Sequence, residues 1–265
     1  MSTFIDLPPE DVHRLKQWQR GLRRFAFYYD NPPLVTLGLL TSFLALHLAT
    51  GVGDYLAGQA DAWGVIFGER STEMLTLFGG RSRVLVWHGQ VWRLVTAGFL
   101  HADPSHIFFN GLAFWGLGRL AEAVFGRARL LLLFLVSVIG GSMLSQLGNS
   151  PLSIGASGGV FGIMGALVVF GWRTRRDLPP PIREIFGKRL WPWILLNLII
   201  GAALPMIDQL GHVGGLITGA ICGLVLANRV TDHGEGSSMA QAMITVAAFG
   251  IAMVVPLGIA LSLHG

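Results

Sequence analysis

Charge is scarce in this chain. Only 13% of its 265 residues are Asp, Glu, Lys or Arg, against about a quarter in an ordinary soluble domain. A fully water-facing surface is therefore excluded. With 52% hydrophobic residues and a mean hydropathy of +0.58, the composition is that of a membrane protein. Cysteine is scarcer still: Cys222 stands alone, which excludes an internal disulfide, and its apolar surroundings read as inert filling. The first thirty residues lack the long apolar run of a signal peptide, and Asp6, Glu10 and Asp11 argue against a transit peptide. We find no internal repeat, no low-complexity segment beyond a glycine bias, and no H-E-x-x-H metal motif. The net charge of +4 comes from basic loops, so it reports orientation and predicts no nucleic-acid partner.

Long apolar runs and glycine are abundant. The 36 glycines suit closely packed transmembrane helices. A span needs roughly 20 apolar residues. Seven stretches meet or approach this, at about 33–52, 104–124, 128–148, 157–172, 190–207, 211–228 and 240–262. The fourth and sixth are short and glycine-rich. Their upstream ends should lie below the membrane surface, where irregular backbone is tolerated only beside protein or a water-filled cavity. Fifteen of the nineteen Lys and Arg fall in segments on one side, including Arg14 to Arg24, Arg119 to Arg129, Arg173 to Arg189 and Arg229. That excess places the N-terminus in the cytoplasm. Residues 9–29 form a basic amphipathic helix or a solvated arm, ended by Pro32-Pro33. The loop from 53 to 103 is rich in Trp, Leu, Val and Phe and should lie partly in the membrane interface. The divisions expected are a basic segment over 1–32, a six-helix core over 33–228, and a linker with a seventh helix over 229–265.

The polar residues inside this apolar chain carry the functional argument. Gly155-Ala156-Ser157-Gly158-Gly159 fits G-x-S-x-G, the strand-to-helix turn of soluble hydrolases. That turn needs a preceding strand and an alternating α/β chain, and a membrane-like helix follows Ser157 instead. On these five residues alone, small-residue packing between helices is the simpler reading. Ionisable groups in a membrane are costly and mark function by default. His101, His106 and Asn110 open the second helix, Ser157 the fourth and His212 the sixth, all three starts facing outward. His106 and Asn110, four apart, share a helix face, and Phe161 lies one turn beyond Ser157. Two small-residue stripes, Gly158 with Gly162 and Gly211 with Gly215 and Gly219, would let the fourth and sixth helices approach closely. That approach would bring the Ser157 hydroxyl to the His212 imidazole. A serine is a poor nucleophile until a base takes its proton. His212 is of the right type, and the Ser157 amide, His106 and Asn110 are suitable donors for a tetrahedral oxyanion. Asp208, one turn before His212, reads as a boundary charge.

These motifs together resemble the rhomboid intramembrane serine proteases. The resemblance rests on Gly155-Ala156-Ser157-Gly158, on His212 followed by Gly215 and Gly219, on His101, His106 and Asn110, and on Trp92-Arg93. It spans residues 75–228 and implies an all-α, six-helix bundle with an added seventh helix. It implies Ser157 as nucleophile and His212 as base in a dyad without aspartate, with His106 and Asn110 as oxyanion donors. Trp92 and Arg93 would anchor the interfacial loop, His101 would support it through hydrogen bonds, and Phe161 would pack on the imidazole. No metal or other cofactor is implied. The partners implied are single-span membrane proteins cleaved near the outer boundary, with membrane lipid around the bundle. The lack of targeting segments and the positive-inside pattern lead us to expect a bacterial cytoplasmic membrane. Three other readings are a metal site on His88, His101 and His106, a transporter, and a catalytically silent binder of client membrane helices.

Overall fold

A computed structural model describes residues 9–148, 150–203 and 207–231. The stretch expected as a seventh helix lies outside the described residues. The described chain is mostly helical. α1 (Pro9–Asp30) is followed after Pro32-Pro33 by α2 (Leu34–Leu56). The apolar loop then folds into four short helices, α3 (Gly64–Phe67), α4 (Thr72–Leu77), α5 (Arg83–Trp87) and α6 (Arg93–Thr96). Between α4 and α5 runs β1 (Arg81–Ser82). The long helices resume with α7 (Pro104–Phe125) and α8 (Arg127–Ser145). A second short strand, β2 (Leu152–Ser153), precedes α9 (Ser157–Arg173). α10 (Pro180–Glu184) leads through a π-helical turn into α11 (Leu190–Ala203), and α12 (Gln209–Val225) closes the described chain.

The apolar stretches read from the sequence coincide with α2, α7, α8, α9, α11 and α12. By length and composition, two helical stretches among the described residues are long and apolar enough to cross a membrane, Val12–Leu56 and Arg127–Ser145, whereas α9 and α12 are apolar but shorter. At 17 residues, α9 rises about 25 Å, short of a bilayer core of about 30 Å.

α9 is the centre of the bundle. It is apolar all round and buried on nearly every side, from Gly159 to Leu167, as expected of a helix with no solvent-facing stripe. Phe43 of α2, Phe114 of α7 and Phe134 of α8 meet beside it, with ring centroids 5.3–5.8 Å apart. α12 lies against it backbone to backbone. A Cβ built at Gly215 would run into the Gly158 carbonyl, and one at Gly219 into the Gly162 carbonyl. Only glycine permits that approach. Gly211 is shared: α8 also closes on it, through Gly141.

The helix ends sort the residues into two layers. Asp103 caps α7 by accepting from the His106 amide at 2.9 Å, with Pro104 in the first turn. The starts of α7, α9 and α12 gather at that end. At the other end, buried Glu122 of α7 accepts from the Thr36 amide at 3.0 Å and the Thr36 hydroxyl at 2.8 Å, which fixes the start of α2. The Arg229 amide donates to Val124 there, and Arg173 donates to the carbonyls of Gly223 and Leu226.

Candidate active site

The glycine-lined approach of α9 and α12 sets the geometry of the site. Ser157 opens α9 and His212 lies in the first turn of α12. The Ser157 hydroxyl stands 2.8 Å from His212 Nε2. The Phe161 ring stacks on the imidazole, with centroids 4.4 Å apart and planes 19° from parallel. That contact fixes the ring plane without a polar partner. His212 Nδ1 has no hydrogen-bond partner among the described residues, so no carboxylate completes a triad there.

α9 starts without a side-chain cap, because Ala156 occupies the position where Ser, Asp or Asn would accept from the first turn. Its leading N–H groups, beginning with that of Ser157, stay free to face a negative charge at the positive end of the helix. Gly155 stands at φ +116°, a region that favours glycine, and a Cβ there would lie 2.6 Å from His106 Nε2 and 3.9 Å from Asn110 Nδ2. The bare flank of Gly155 is thus what lets both α7 side chains reach the segment entering the serine. His106 Nδ1 accepts from the Ala102 amide at 3.4 Å, which leaves the ring proton on Nε2, the nitrogen facing Gly155. Asn110 Nδ2 also donates to the His106 carbonyl at 3.0 Å. Asp103, in the loop ahead of α7, is partly buried, which raises its carboxyl. Hydrogen bonds from Ser105 and the His106 amide outweigh that burial and hold it below the usual value.

Two residues behave differently from the sequence reading. His101 was expected to support the loop by hydrogen bonds, but neither of its ring nitrogens makes one of good geometry among the described residues, the Phe99 backbone being its one weak polar neighbour. Its surroundings are aromatic, and it packs against Phe43 at 5.4 Å and His106 at 5.1 Å. Asp208 is more than a boundary charge. It caps α12 by accepting from the Gly211 amide at 3.0 Å, accepts from the Ser145 hydroxyl, and faces Arg81 at 3.6 Å.

Arg81 itself escaped the sequence reading. It is fully buried and donates to Ser145 Oγ at 2.7 Å, Gln146 Oε1 at 3.3 Å and the Ser150 carbonyl at 3.3 Å. β1 and β2 pair antiparallel, Arg81 opposite Ser153, so this arginine ties the loop, the end of α8 and the cap of the His212 helix. A lone arginine in a segment with no other signal gave no clue to this. Arg93, expected as a loop anchor, donates to Gln90 at 2.7 Å and to the carbonyls of Thr76 and Gly80, and lies 4.5 Å over the Trp92 ring.

Comparison with known proteins matches the rhomboid domain over residues 88–229, more than half of the chain. Rhomboid protease GluP of Bacillus subtilis is 39% identical over 152 residues, covering 57% of this chain and 29% of its own length. Rhomboid protease AarA of Providencia stuartii is 31% identical over 170 residues, covering 56% of this chain and 60% of its own. RHOMBOID-like protein 2 of Arabidopsis thaliana is 31% identical over 256 residues, covering 86% and 79%. The match thus takes in less than a third of GluP. The chain belongs to the rhomboid family of integral membrane proteins.

Proposed function

We propose that this chain is an intramembrane serine endopeptidase that uses Ser157 and His212 as a dyad. The observation that supports this most is the 2.8 Å approach of the Ser157 hydroxyl to His212 Nε2. In the proposed reaction His212 takes the serine proton as Oγ attacks a peptide carbonyl. The oxygen of the tetrahedral intermediate takes the negative charge and is met by the Ser157 amide, His106 Nε2 and Asn110 Nδ2. His212 then returns the proton to the leaving amine as the C–N bond breaks. A water, deprotonated by the same imidazole, attacks the acyl carbonyl, and the imidazole passes that proton to Ser157 Oγ as the ester bond breaks. His106 carries its proton on the nitrogen that faces Gly155, which suits a donor role.

The bilayer placement is part of the proposal. α2, α7, α8, α9, α11 and α12 form six spans within residues 33–228, with the starts of α7, α9 and α12 outward and the N-terminus in the cytoplasm of a bacterial cell. The short rise of α9 supports a Ser157 that lies below the outer surface. Substrates are single-span membrane proteins with a small residue before the scissile bond and helix-weakening residues below it. Their helix has to unwind first, since its amides are spent on internal hydrogen bonds. The names of GluP and AarA, both rhomboid proteases, support the reaction class.

The test is cleavage of a single-span reporter reconstituted with the protein in vesicles. Wild type should release the outward fragment, and Ser157→Ala and His212→Ala should not, with helical content unchanged. Cleavage by either variant near the wild-type rate would remove that residue from the mechanism. Binding of the reporter without cleavage by folded wild type would replace the protease with a silent binder of membrane helices.

A further inference from the structure

At the end of the bundle opposite Ser157, a cavity of about 300 Å³ opens between the end of α1, the start of α2, the end of α7 and the residues after α12. Three guanidinium groups line it, from Arg119, Arg127 and Arg229, with one carboxylate, Glu122. The carboxylate is already committed. Its Oε2 accepts from the Thr36 amide and hydroxyl, and its Oε1 accepts from the Val35 amide and pairs with Arg127 at 3.4 Å. Arg119 spends Nε and Nη2 on the neutral Tyr29 carbonyl and lies 4.2 Å over the Tyr29 ring, which leaves Nη1 available. Arg229 lies 5.1 Å over the Tyr28 ring, and its guanidinium has no acceptor among the described residues. Gly126, at φ +89°, makes room for it: a Cβ there would run into that guanidinium. Two cations with donors to spare therefore face one cavity whose single carboxylate among the described residues, Glu122, is already engaged elsewhere.

We propose that this cavity binds the phosphate of an anionic phospholipid headgroup through Arg119 and Arg229. Guanidinium forks match phosphate oxygens, and stacking on Tyr28 and Tyr29 preorganises both forks. Basic pockets between helix ends on the cytoplasmic side are suited to anionic headgroups. The neighbouring surface selects lipid over a soluble anion. Phe27 in the cavity wall is 65% exposed and Leu34, one residue beyond Pro33, is 53% exposed, which gives an acyl chain an apolar path along α2. This inference rests on the bilayer placement above and is independent of whether the dyad is active.

The experiment uses the full chain in neutral detergent, with lipid retention read by native mass spectrometry and binding by the shift in melting temperature on titration. The probes are phosphatidylglycerol, phosphatidylcholine and inorganic phosphate. Wild type should prefer phosphatidylglycerol to phosphatidylcholine by roughly tenfold or more, less so at high salt. The double variant Arg119→Gln, Arg229→Gln should lose that preference, and Arg175→Gln, another arginine of the same end, should keep it. Arg229→Lys, which keeps the charge and loses the fork, should give a partial loss and serves if the double variant does not fold. Equal retention of the two lipids, or an undiminished preference in Arg229→Lys and the double variant, would overturn the site. A shift with inorganic phosphate as large as that with phosphatidylglycerol would assign the cavity to a soluble anion and overturn the lipid.

Discussion

Arginine serves the two ends of this bundle in opposite ways. At the serine end, Arg70, Arg81 and Arg93 are buried and most of their hydrogen bonds go to backbone carbonyls and neighbouring side chains. Arg70 reaches the carbonyls of His47, Gly64 and Val65, Arg93 those of Thr76 and Gly80, and Arg81 the Ser145 hydroxyl and the Ser150 carbonyl. At the other end, Arg119, Arg127 and Arg229 line an open cavity. One side chain type is a cross-link where irregular backbone offers many unpaired carbonyls, and a receptor where helix ends leave it facing outward. Burial and carbonyl supply decide between the two, since the charge is the same.

Five substitutions probe this contrast, from the largest effect down. Ser157→Ala removes the proposed nucleophile and leaves the arginine frame intact. Turnover of the membrane reporter should fall by at least about 10⁴-fold with the melting temperature unchanged. Asn110→Ala takes one proposed oxyanion donor from the same end and should lower turnover about 10²- to 10³-fold, with little change in substrate affinity. Arg81→Gln does the reverse, taking the frame and sparing the dyad. Removing one partner of a buried ion pair should cost about 3 kcal/mol, read as a lower midpoint in a chemical or thermal unfolding series. Asp208→Asn should act in the same direction but less, since its side chain is 17% exposed and the amide still caps α12. Arg229→Gln should change stability least, within about 0.5 kcal/mol by the same measurement. If Arg81→Gln and Arg229→Gln proved equally costly, the contrast between the two ends would be lost.

The same contrast shows what the sequence could carry. The long helices were legible because apolar runs and their glycine stripes are local signals: the stretch 104–124 became α7 (Pro104–Phe125), and 157–172 became α9 (Ser157–Arg173). The candidate site was legible because costly polar groups stood out at three helix starts, and Ser157 and His212 do meet. The part that stayed hidden is non-local. Arg81 and Asp208 are 127 positions apart in the chain, and their pairing depends on β1 finding β2. Nothing in the spacing of either residue announces it. His101 misled for a related reason: its type suggests hydrogen bonds, but the fold surrounds it with Phe43 and His106. The cavity between Arg119 and Arg229 needed three separate helix ends to converge, which a charge count along the chain records only as positive balance.

The central claim is that Ser157 is an activated nucleophile, and covalent labelling tests it most directly. Purified, detergent-solubilised protein would be treated with a fluorophosphonate probe, wild type beside Ser157→Ala and His212→Ala, and the modified peptide located by mass spectrometry. The account predicts one adduct, on Ser157 of wild type, lost in Ser157→Ala and strongly reduced in His212→Ala. Folded wild type that takes no label, or label that persists in Ser157→Ala, would contradict it.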